Sequence, residues 1–535
     1  MRPPHTPGNP HPPSSLPDRW TAPPCPHSDC PASAQEPRPA APGPAGCRAD
    51  LVILGAGGAG LVAAVSALEN ACRPLDILVL EKAAAPGGNT AQSAGLFAID
   101  SPAQRRKGIV VAKEEIFKEK MAYAHWRIDP DLTLDCLDLC GWLVAWLERR
   151  GMYFDNVIEF LREGEAPKVF HSFSLGPGGF IGKTIVERLT EECARLGVRM
   201  LCGATATQLQ THEGRVTAVT VKTGDTESIV QVGAVVLATG GFGGNRVLLE
   251  KYFPGHGDVF TLNRPEITGD GLLLAEQVGA AIDDNFVLLV TGPHHYPWSH
   301  VLTLLVRRPE VVLVNKEGHR YSDETLFLDY HTEAGNALSR QPGKSCWALL
   351  DSAFKEHLIT TGEIISGMER EAGGAGAWVK DLEAELEAGV ARGTVAKADD
   401  WVELATAIGV DPPILAYTVD HYNTLCDQGV DLDFYKEPRF LRPLRTGPFY
   451  AVLGRQGFDT TLGGIKVDRR LRVLDRESAP IPGLYAAGDC ASGWEHENYN
   501  LRHPGSALTF ALCSGYIAGR EAAAYVTNQG GQSAS

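Results

Sequence analysis

One stretch, Asp50-Leu-Val-Ile-Leu-Gly-Ala-Gly-Gly-Ala-Gly60, restricts the folds open to this chain more than any other. Apolar residues run straight into Gly55-x-Gly57-x-x-Gly60. An Ala-rich helical pattern follows from Leu61 to Glu69, and a second apolar run, Leu75 to Leu80, ends on Glu81, about twenty residues past the last glycine. Strand, tight turn, helix, strand and acid come in the order that a bound dinucleotide demands. The glycines let the backbone turn sharply and approach a pyrophosphate. The helix N-terminus offers free N–H groups and the positive end of its dipole, and the acid accepts hydrogen bonds from ribose hydroxyls.

With 535 residues the chain can bury a large core and is expected to hold two folded units. Its net charge of −16 argues against nucleic acid as a partner. No apolar run approaches the ~18 residues of a membrane span. Val301-Leu-Thr-Leu-Leu-Val306, stopped by Arg307 and Arg308, reads as a strand. The twelve cysteines lack the density and spacing of a disulfide scaffold, and most sit in apolar runs as buried thiols, Cys136 and Cys140 on one helix face among them. That usage points to a reducing compartment, the cytoplasm.

Residues 1–47 hold 15 of the 35 prolines and read as a disordered tail without a secretory h-region; Cys25, His27 and Cys30 there are chance cysteines and a histidine rather than a metal site. Helices are expected over 114–124 and 131–150, the second with Asp129 as N-cap and Pro130 at its first position. Leu175-Gly-Pro-Gly-Gly179 is a second glycine-rich turn, leading into a helix from Gly182 to Leu196 and a meander from Val198 to Val221. Ala234 to Gly244 is a buried strand that should return beside the first one. From residue 284 the texture turns aromatic, His- and Pro-rich, as in Pro293 to Trp298, and Val311 to Tyr321 looks like a hairpin. We therefore expect a nucleotide-type unit over 48–283 and 458–527, an inserted second domain over 284–457, and a short tail over 528–535. A final helix from Ser506 to Tyr525 begins with a dipole end free to face a ligand.

Gly55–Gly60, Glu81-Lys82, Gly87-Gly-Asn-Thr90, Ala238-Thr-Gly-Gly241, Thr268-Gly-Asp-Gly271, Asn315 to Arg320, Leu462-Gly-Gly464 and Gly483 to Asp489 stand in one order along residues 48–525. Together they resemble the flavoprotein subunit family of fumarate reductase and succinate dehydrogenase, with its tricarballylate and 3-ketosteroid dehydrogenase relatives. The resemblance implies an α/β fold, a Rossmann-like FAD-binding domain of the glutathione-reductase kind with an inserted α+β capping domain. It implies FAD in an extended pose, with Gly55, Gly57, Gly58, Ala59 and Gly60 on the pyrophosphate and Glu81, followed by Lys82, at the adenosine ribose. Gly88, Asn89, Thr90, Ala94 and Gly95 would line the flavin side, Ala206 would meet adenine, and Asp270 and Asp489 would meet the isoalloxazine or ribityl portion. Ala507 and Leu508 would bring the last helix to the flavin N1–C2 edge. Covalent members carry a histidine where Asn89 stands, so the resemblance implies non-covalent FAD.

On the substrate side the family's dicarboxylate pattern is depleted. The slots of its two histidines hold Thr291, with His294 and His295 soon after, and Thr460. The proton-donor arginine falls on Leu328 and its relay glutamate on Leu304, with the relay arginine surviving as Arg307. The carboxylate-binding arginine is kept as Arg502, while Arg320 reads as a structural salt-bridge partner. Fumarate and succinate are therefore not the expected substrates. Tyr499 fills the slot of a ketosteroid-dehydrogenase tyrosine, and His503, like Tyr499 and the His294/His295 pair, is a candidate acid–base group. The expectation is an FAD-dependent CH–CH oxidoreductase on another organic acid, with a small-molecule substrate and an electron donor or acceptor of unknown identity. The alternatives are a ketosteroid-type enzyme on a bulky ketone, a flavoprotein subunit serving a separate iron–sulfur partner, or a sensor that only holds FAD.

Overall fold

Strand Arg48–Leu54 lies at the centre of the first sheet, which explains its unbroken apolar run: both faces are covered. The computed structural model describes residues 48–160, 168–173, 180–297, 299–329, 331–363 and 378–530. The N-terminal tail with Cys25, His27 and Cys30, the Leu175–Gly179 turn, Trp298 and residues 531–535 lie outside these. The sheet runs in the order Arg472–Leu474, Pro480–Ala486, Thr226–Leu237, Arg48–Leu54, Ile77–Glu81, Arg199–Cys202. Four successive pairs are parallel, from Pro480–Ala486 through to Arg199–Cys202, and Thr226–Leu237 returns beside the first strand as its apolar run suggested.

The glycine loop leads into helix Gly58–Asn70, which packs along the C-terminal helix Ser506–Gly530. The contact is backbone to backbone. A Cβ on Gly515 would stand 2.3 Å from the Ala59 carbonyl oxygen, and one on Gly519 would stand 2.2 Å from that of Ala63. Buried Ser66 adds a hydrogen bond from its Oγ to the Tyr516 carbonyl at 2.7 Å. The C-terminal helix continues to Gly530, past the 527 expected for the end of the folded unit.

The second sheet has six strands built around the long strand Phe449–Leu462, which pairs with Phe260–Thr261, Val287–His295, Ser345–Asp351 and Val395–Ala398. This sheet takes a strand from before residue 284, and its central strand passes through residue 457 into the nucleotide unit. Helices Lys113–Tyr123, Pro130–Glu148 and Ile181–Arg195 form near their expected places; the Asp129 carboxylate accepts from the Leu132 amide at 2.9 Å and so caps the second. Val301–Val306 departs from expectation. It is helical, within His300–Val306, because the Ser299 hydroxyl accepts from the Leu302 amide (3.2 Å) and burial of Leu302 to Val306 removes any need for an alternating polar face. Eight described cysteines are free, Cys136 and Cys140 among the buried ones, whereas Cys72 is disulfide-bonded and departs from the thiol expectation. Among the described residues no helix is long and apolar enough to cross a membrane, and no cluster of His, Cys, Asp and Glu is set to hold a metal.

The close helix pair makes a stability prediction. Gly519→Val should lower the melting temperature, since forcing side-chain atoms against the Ala63 carbonyl is overpacking that costs about 1–3 kcal/mol or more; thermal denaturation followed by circular dichroism checks it.

Candidate active site

A single cavity of about 1260 Å³ runs from the glycine loop to the second sheet. It exceeds the roughly 300–1,000 Å³ of a common small-molecule site, so it has room for a dinucleotide and a further ligand. At one end Gly57, Gly58 and Ala59 line it at the N-terminus of helix Gly58–Asn70, whose N-cap, Gly57, has no side chain to cap the first amides. Thr90 Oγ1 accepts from the Gly58 amide at 3.0 Å, and a Cβ at residue 58 would sit 2.9 Å from that oxygen. The cradle therefore presents backbone N–H groups and a positive dipole end, the donor set for a pyrophosphate. Glu81, at the end of its strand, accepts from the Ala56 amide through Oε2 and from the Ala83 amide through Oε1, both at 2.8 Å. Its remaining lone pairs face the cavity beside Ala204, Thr205 and Ala206. These residues fit an adenosine diphosphate moiety.

Along the middle, Lys82 donates to Thr268 Oγ1 (2.5 Å) and pairs with the Asp270 carboxylate (2.9 Å), so these two charges answer each other across the wall. Asn89 is held at three points: its Nδ2 donates to Asn263 Oδ1 (2.6 Å) and Thr460 Oγ1 (3.1 Å), and its Oδ1 accepts from the Arg264 amide (3.1 Å). Thr460 in turn donates to Asp489 Oδ2 at 2.8 Å, and burial pushes the Asp489 carboxyl up to about 6. Ala507 and Leu508, at the start of the C-terminal helix, line the same stretch.

The loop before that helix is tied down by a buried ion pair. Lys120 Nζ donates to Glu495 Oε1 at 2.7 Å, 3.9 Å from the Trp494 ring centroid, and Ser506 Oγ donates to the same carboxylate oxygen at 2.9 Å. The loop carries Tyr499 into the cavity wall, where its hydroxyl accepts from the Ala507 amide at 2.8 Å and keeps its own proton to offer. Burial raises the phenol well above its usual range, so it acts as a donor and not as a base.

The far end belongs to the second sheet. Arg307 follows helix His300–Val306, donates from Nε to the Pro293 carbonyl (3.0 Å), and brings Nη2 within 3.0 Å of His294 Nδ1. Thr291 Oγ1 lies 2.8 Å from His294 Nε2 and 3.4 Å from Asp459 Oδ1. Arg307 is buried, which brings its guanidinium down to about 10 against the opposing pull of Asp459. Burial, then Arg307, hold His294 well below the usual imidazole range; burial and Arg307 bring His331 down to about 3. Both rings are neutral near pH 7. The Asp459 carboxyl goes the other way, up to about 6, because burial outweighs Arg307 and the Thr291 hydrogen bond.

All the sequence-derived cofactor residues line this cavity except Gly60, whose missing Cβ would lie 1.9 Å from the Gly55 carbonyl oxygen and which serves the turn itself. Of the catalytic candidates, Tyr499 and His294 line it. Arg502, His503 and His295 do not. The Arg502 guanidinium lies 5.3 Å from the Tyr123 ring centroid and 4.0 Å from Glu119. His503 packs on Phe97 with ring centroids 5.1 Å apart, and His295, on the second sheet, bonds Thr394 Oγ1 at 3.0 Å. Arg320 pairs with Glu324 and Asp431, each at 2.8 Å, the structural partnership its sequence context suggested. Asp459 and His331 went unmarked in the sequence. Asp459 had one signal, a carboxylate placed just before the Thr460-Thr-Leu-Gly-Gly run.

Comparison with known proteins identifies the family and the fold. The family model described as FAD binding domain matches residues 50–506. Vinyl phenol reductase of Lactiplantibacillus plantarum is 31% identical over 503 residues, covering 90% of this chain and 97% of that protein. The open conformation of a flavocytochrome c3 fumarate reductase matches with a TM-score of 0.71 at 24% identity, covering 90% of this chain and 79% of that one. The 3-ketosteroid-Δ4-(5α)-dehydrogenase of Rhodococcus jostii RHA1 matches with a TM-score of 0.68 at 23% identity, covering 90% and 97%. The two structures speak for the fold alone.

Glu81→Ala should strip two backbone amides of their acceptor and remove the carboxylate expected to meet the adenosine ribose. Each charged hydrogen bond is worth about 1.5–3 kcal/mol, so FAD affinity should fall about tenfold or more, read as the flavin content of purified protein and by titration with added FAD.

Proposed function

The chain belongs to the FAD binding domain family, and on that premise we propose that it interconverts CH–CH and C=C beside a carboxylate or carbonyl in an organic acid other than fumarate or succinate. It is an FAD-dependent oxidoreductase acting on CH–CH or C=C groups. The observation that carries the finer reading is the continuity of one cavity from the glycine cradle to the wall formed by Arg307, Asp459 and Tyr499. Bound in the cradle, FAD supplies a hydride acceptor and donor at its N5. The protein's own residues do the rest. Arg307 offers a guanidinium, desolvated and backed by the Pro293 carbonyl, to one substrate carboxylate. Tyr499 donates to a carbonyl or carboxyl oxygen as negative charge gathers there, its own oxygen already polarised by the helix amide of Ala507. Leu289, Leu304 and Leu501 keep water away from the reacting carbons.

Thr291, Leu304 and Thr460, which stand in the dicarboxylate slots, line this same cavity and offer no second cation. That composition favours a monocarboxylate over a C4 dicarboxylate. A bulky ketone is the second reading, favoured by the Tyr499 hydroxyl. We assign 48–283 with 458–527 to cofactor binding and 284–457 to the cap, the cytoplasm as the compartment, and a separate protein or small molecule as the electron donor or acceptor. We also assign the substrate-anchoring role to Arg307 in place of Arg502.

Two measurements test these assignments. Arg307→Gln should lower kcat/KM for an organic acid by about a hundredfold, about 2.7 kcal/mol of transition-state stabilisation, while Arg502→Ala keeps most of it. The reverse ranking would return the anchor to Arg502, and loss confined to ketones would favour the second reading. FAD, held without a covalent bond because Asn89 offers no ring nitrogen, should appear entirely in the supernatant after acid precipitation; flavin left in the pellet would refute that.

A further inference from the structure

We infer that Asp459 is the catalytic residue that delivers the proton to the substrate carbon during reduction of the double bond and removes it during oxidation. The inference rests on the proposed CH–CH chemistry and names the group that completes it. Two strands meet at this point. Val287–His295 supplies Thr291 and His294, and Phe449–Leu462 supplies Asp459, with register shifts after Leu288 and again after Thr291. Such irregularities re-aim side chains, and here they bring the Thr291 hydroxyl to 3.4 Å from the Asp459 carboxylate on the cavity side.

Elimination supports the choice. The slot of the family's proton-donor arginine holds Leu328, which does not line the cavity. The other carboxylates on the wall are engaged elsewhere: Glu81 by two backbone amides, Asp270 by Lys82, Glu266 beside Arg264, and Asp489 by Thr460. The groups around Asp459 are Arg307 from the segment after helix His300–Val306, Thr291 and His294 from the neighbouring strand, His331 from helix His331–Ser339, and Tyr499 from the loop before the C-terminal helix. The two imidazoles are neutral near pH 7 and have no proton to spare as acids, Tyr499 holds its proton tightly, and Arg307 is committed as a cation. Asp459 and Asp489 are both raised to about 6, the range matched to proton transfer near neutrality, and position separates them: Asp489 sits with Thr460, Asn89 and Ala507 in the cofactor stretch, whereas Asp459 lies with Thr291 and Arg307 at the substrate end.

The step balances. In reduction one alkene carbon would receive a hydride, with its two electrons, as the chemistry that bound FAD would supply. The Asp459 O–H bond breaks as a C–H bond forms at the other carbon, and the carboxylate left behind regains a proton from water after product departs. The electrons enter from an external low-potential reductant.

The test uses the full-length holoenzyme, reduced anaerobically with dithionite and mixed in a stopped flow with monocarboxylic enoates, cinnamate first, over about pH 5 to 9. In the wild type the rate of flavin reoxidation should fall as pH rises through the Asp459 pKa, because the acid form is the donor; in the oxidative direction the rate should rise. Asp459→Asn should slow reoxidation by about a hundredfold or more and flatten the profile, with FAD content, dithionite reduction and cinnamate binding unchanged. Thr291→Val removes a hydrogen bond that favours the carboxylate, so the limb should move to higher pH. Asp459→Glu should recover part of the rate and keep a limb. If Asp459→Asn reoxidises within about threefold of the wild type with the same profile, Asp459 is not the donor. If Asp459→Asn fails to fold, an unmoved limb in Thr291→Val together with no recovered rate in Asp459→Glu overturns the inference equally. A wild-type flavin that no enoate or enone reoxidises would instead defeat the proposed chemistry, and the inference with it.

Discussion

The site depends on two helices lying so close that no side chain separates them. Gly515 and Gly519 sit against the carbonyls of Ala59 and Ala63 in the same order along both chains, so the glycine-loop helix and the C-terminal helix run parallel. Their N-termini therefore point the same way. The C-terminal helix starts at Ser506 and draws level with Gly58 near Ser514, so its positive end lies roughly 12 Å farther along the shared axis at 1.5 Å per residue. On the proposed reading, two stacked dipole ends, set apart by backbone contact, would serve as two attachment points for one extended anionic molecule. The glycines at 515 and 519 fix the spacing between these ends.

The chemistry at the other end is arranged by strands. Phe449–Leu462 begins in the second sheet and delivers Asp459 and Thr460 to the cavity in adjacent positions. Consecutive strand residues point to opposite faces, so a regular strand would separate them. The shifted pairing with Val287–His295 lets both reach polar partners, Asp459 with Thr291 and Thr460 with Asp489 and Asn89. Burying so many polar groups is tolerable because each has a partner. The Lys120–Glu495 pair follows the same rule: two charges taken from water are answered by each other, by Ser506 and by the Trp494 face.

Much of this was legible in the sequence, for a physical reason. The dinucleotide cradle is made of backbone, and backbone geometry is written in glycine spacing, so Gly55, Gly57 to Ala59, Glu81, Gly88 to Thr90, Asp489 and Ala507 all reach the cavity. Side-chain direction is not written that way. Arg502 stands in the right loop, yet its guanidinium turns toward Tyr123 and Glu119, and nothing in its spacing foretells that rotation. His294 and His295 alternate on one strand, so one faces the cavity and its neighbour cannot. Arg307 was visible as a surviving relay residue, but its place in the wall depends on 300–306 being helical. A six-residue apolar run does not reveal whether it forms a helix or a strand.

Asn89 has a consequence for how proteins of this kind gain or lose a covalent tether. Its amide uses both ends at once, giving protons to Asn263 and Thr460 and taking one from the Arg264 backbone. An imidazole substituted there has one N–H and one acceptor nitrogen and a different reach, so it would abandon at least one of those neighbours. On the proposed non-covalent reading, a tether at this position would take changes among Asn263, Thr460 and the Arg264 segment besides the substitution itself, and intermediates along that evolutionary route would pass through a loosened pocket.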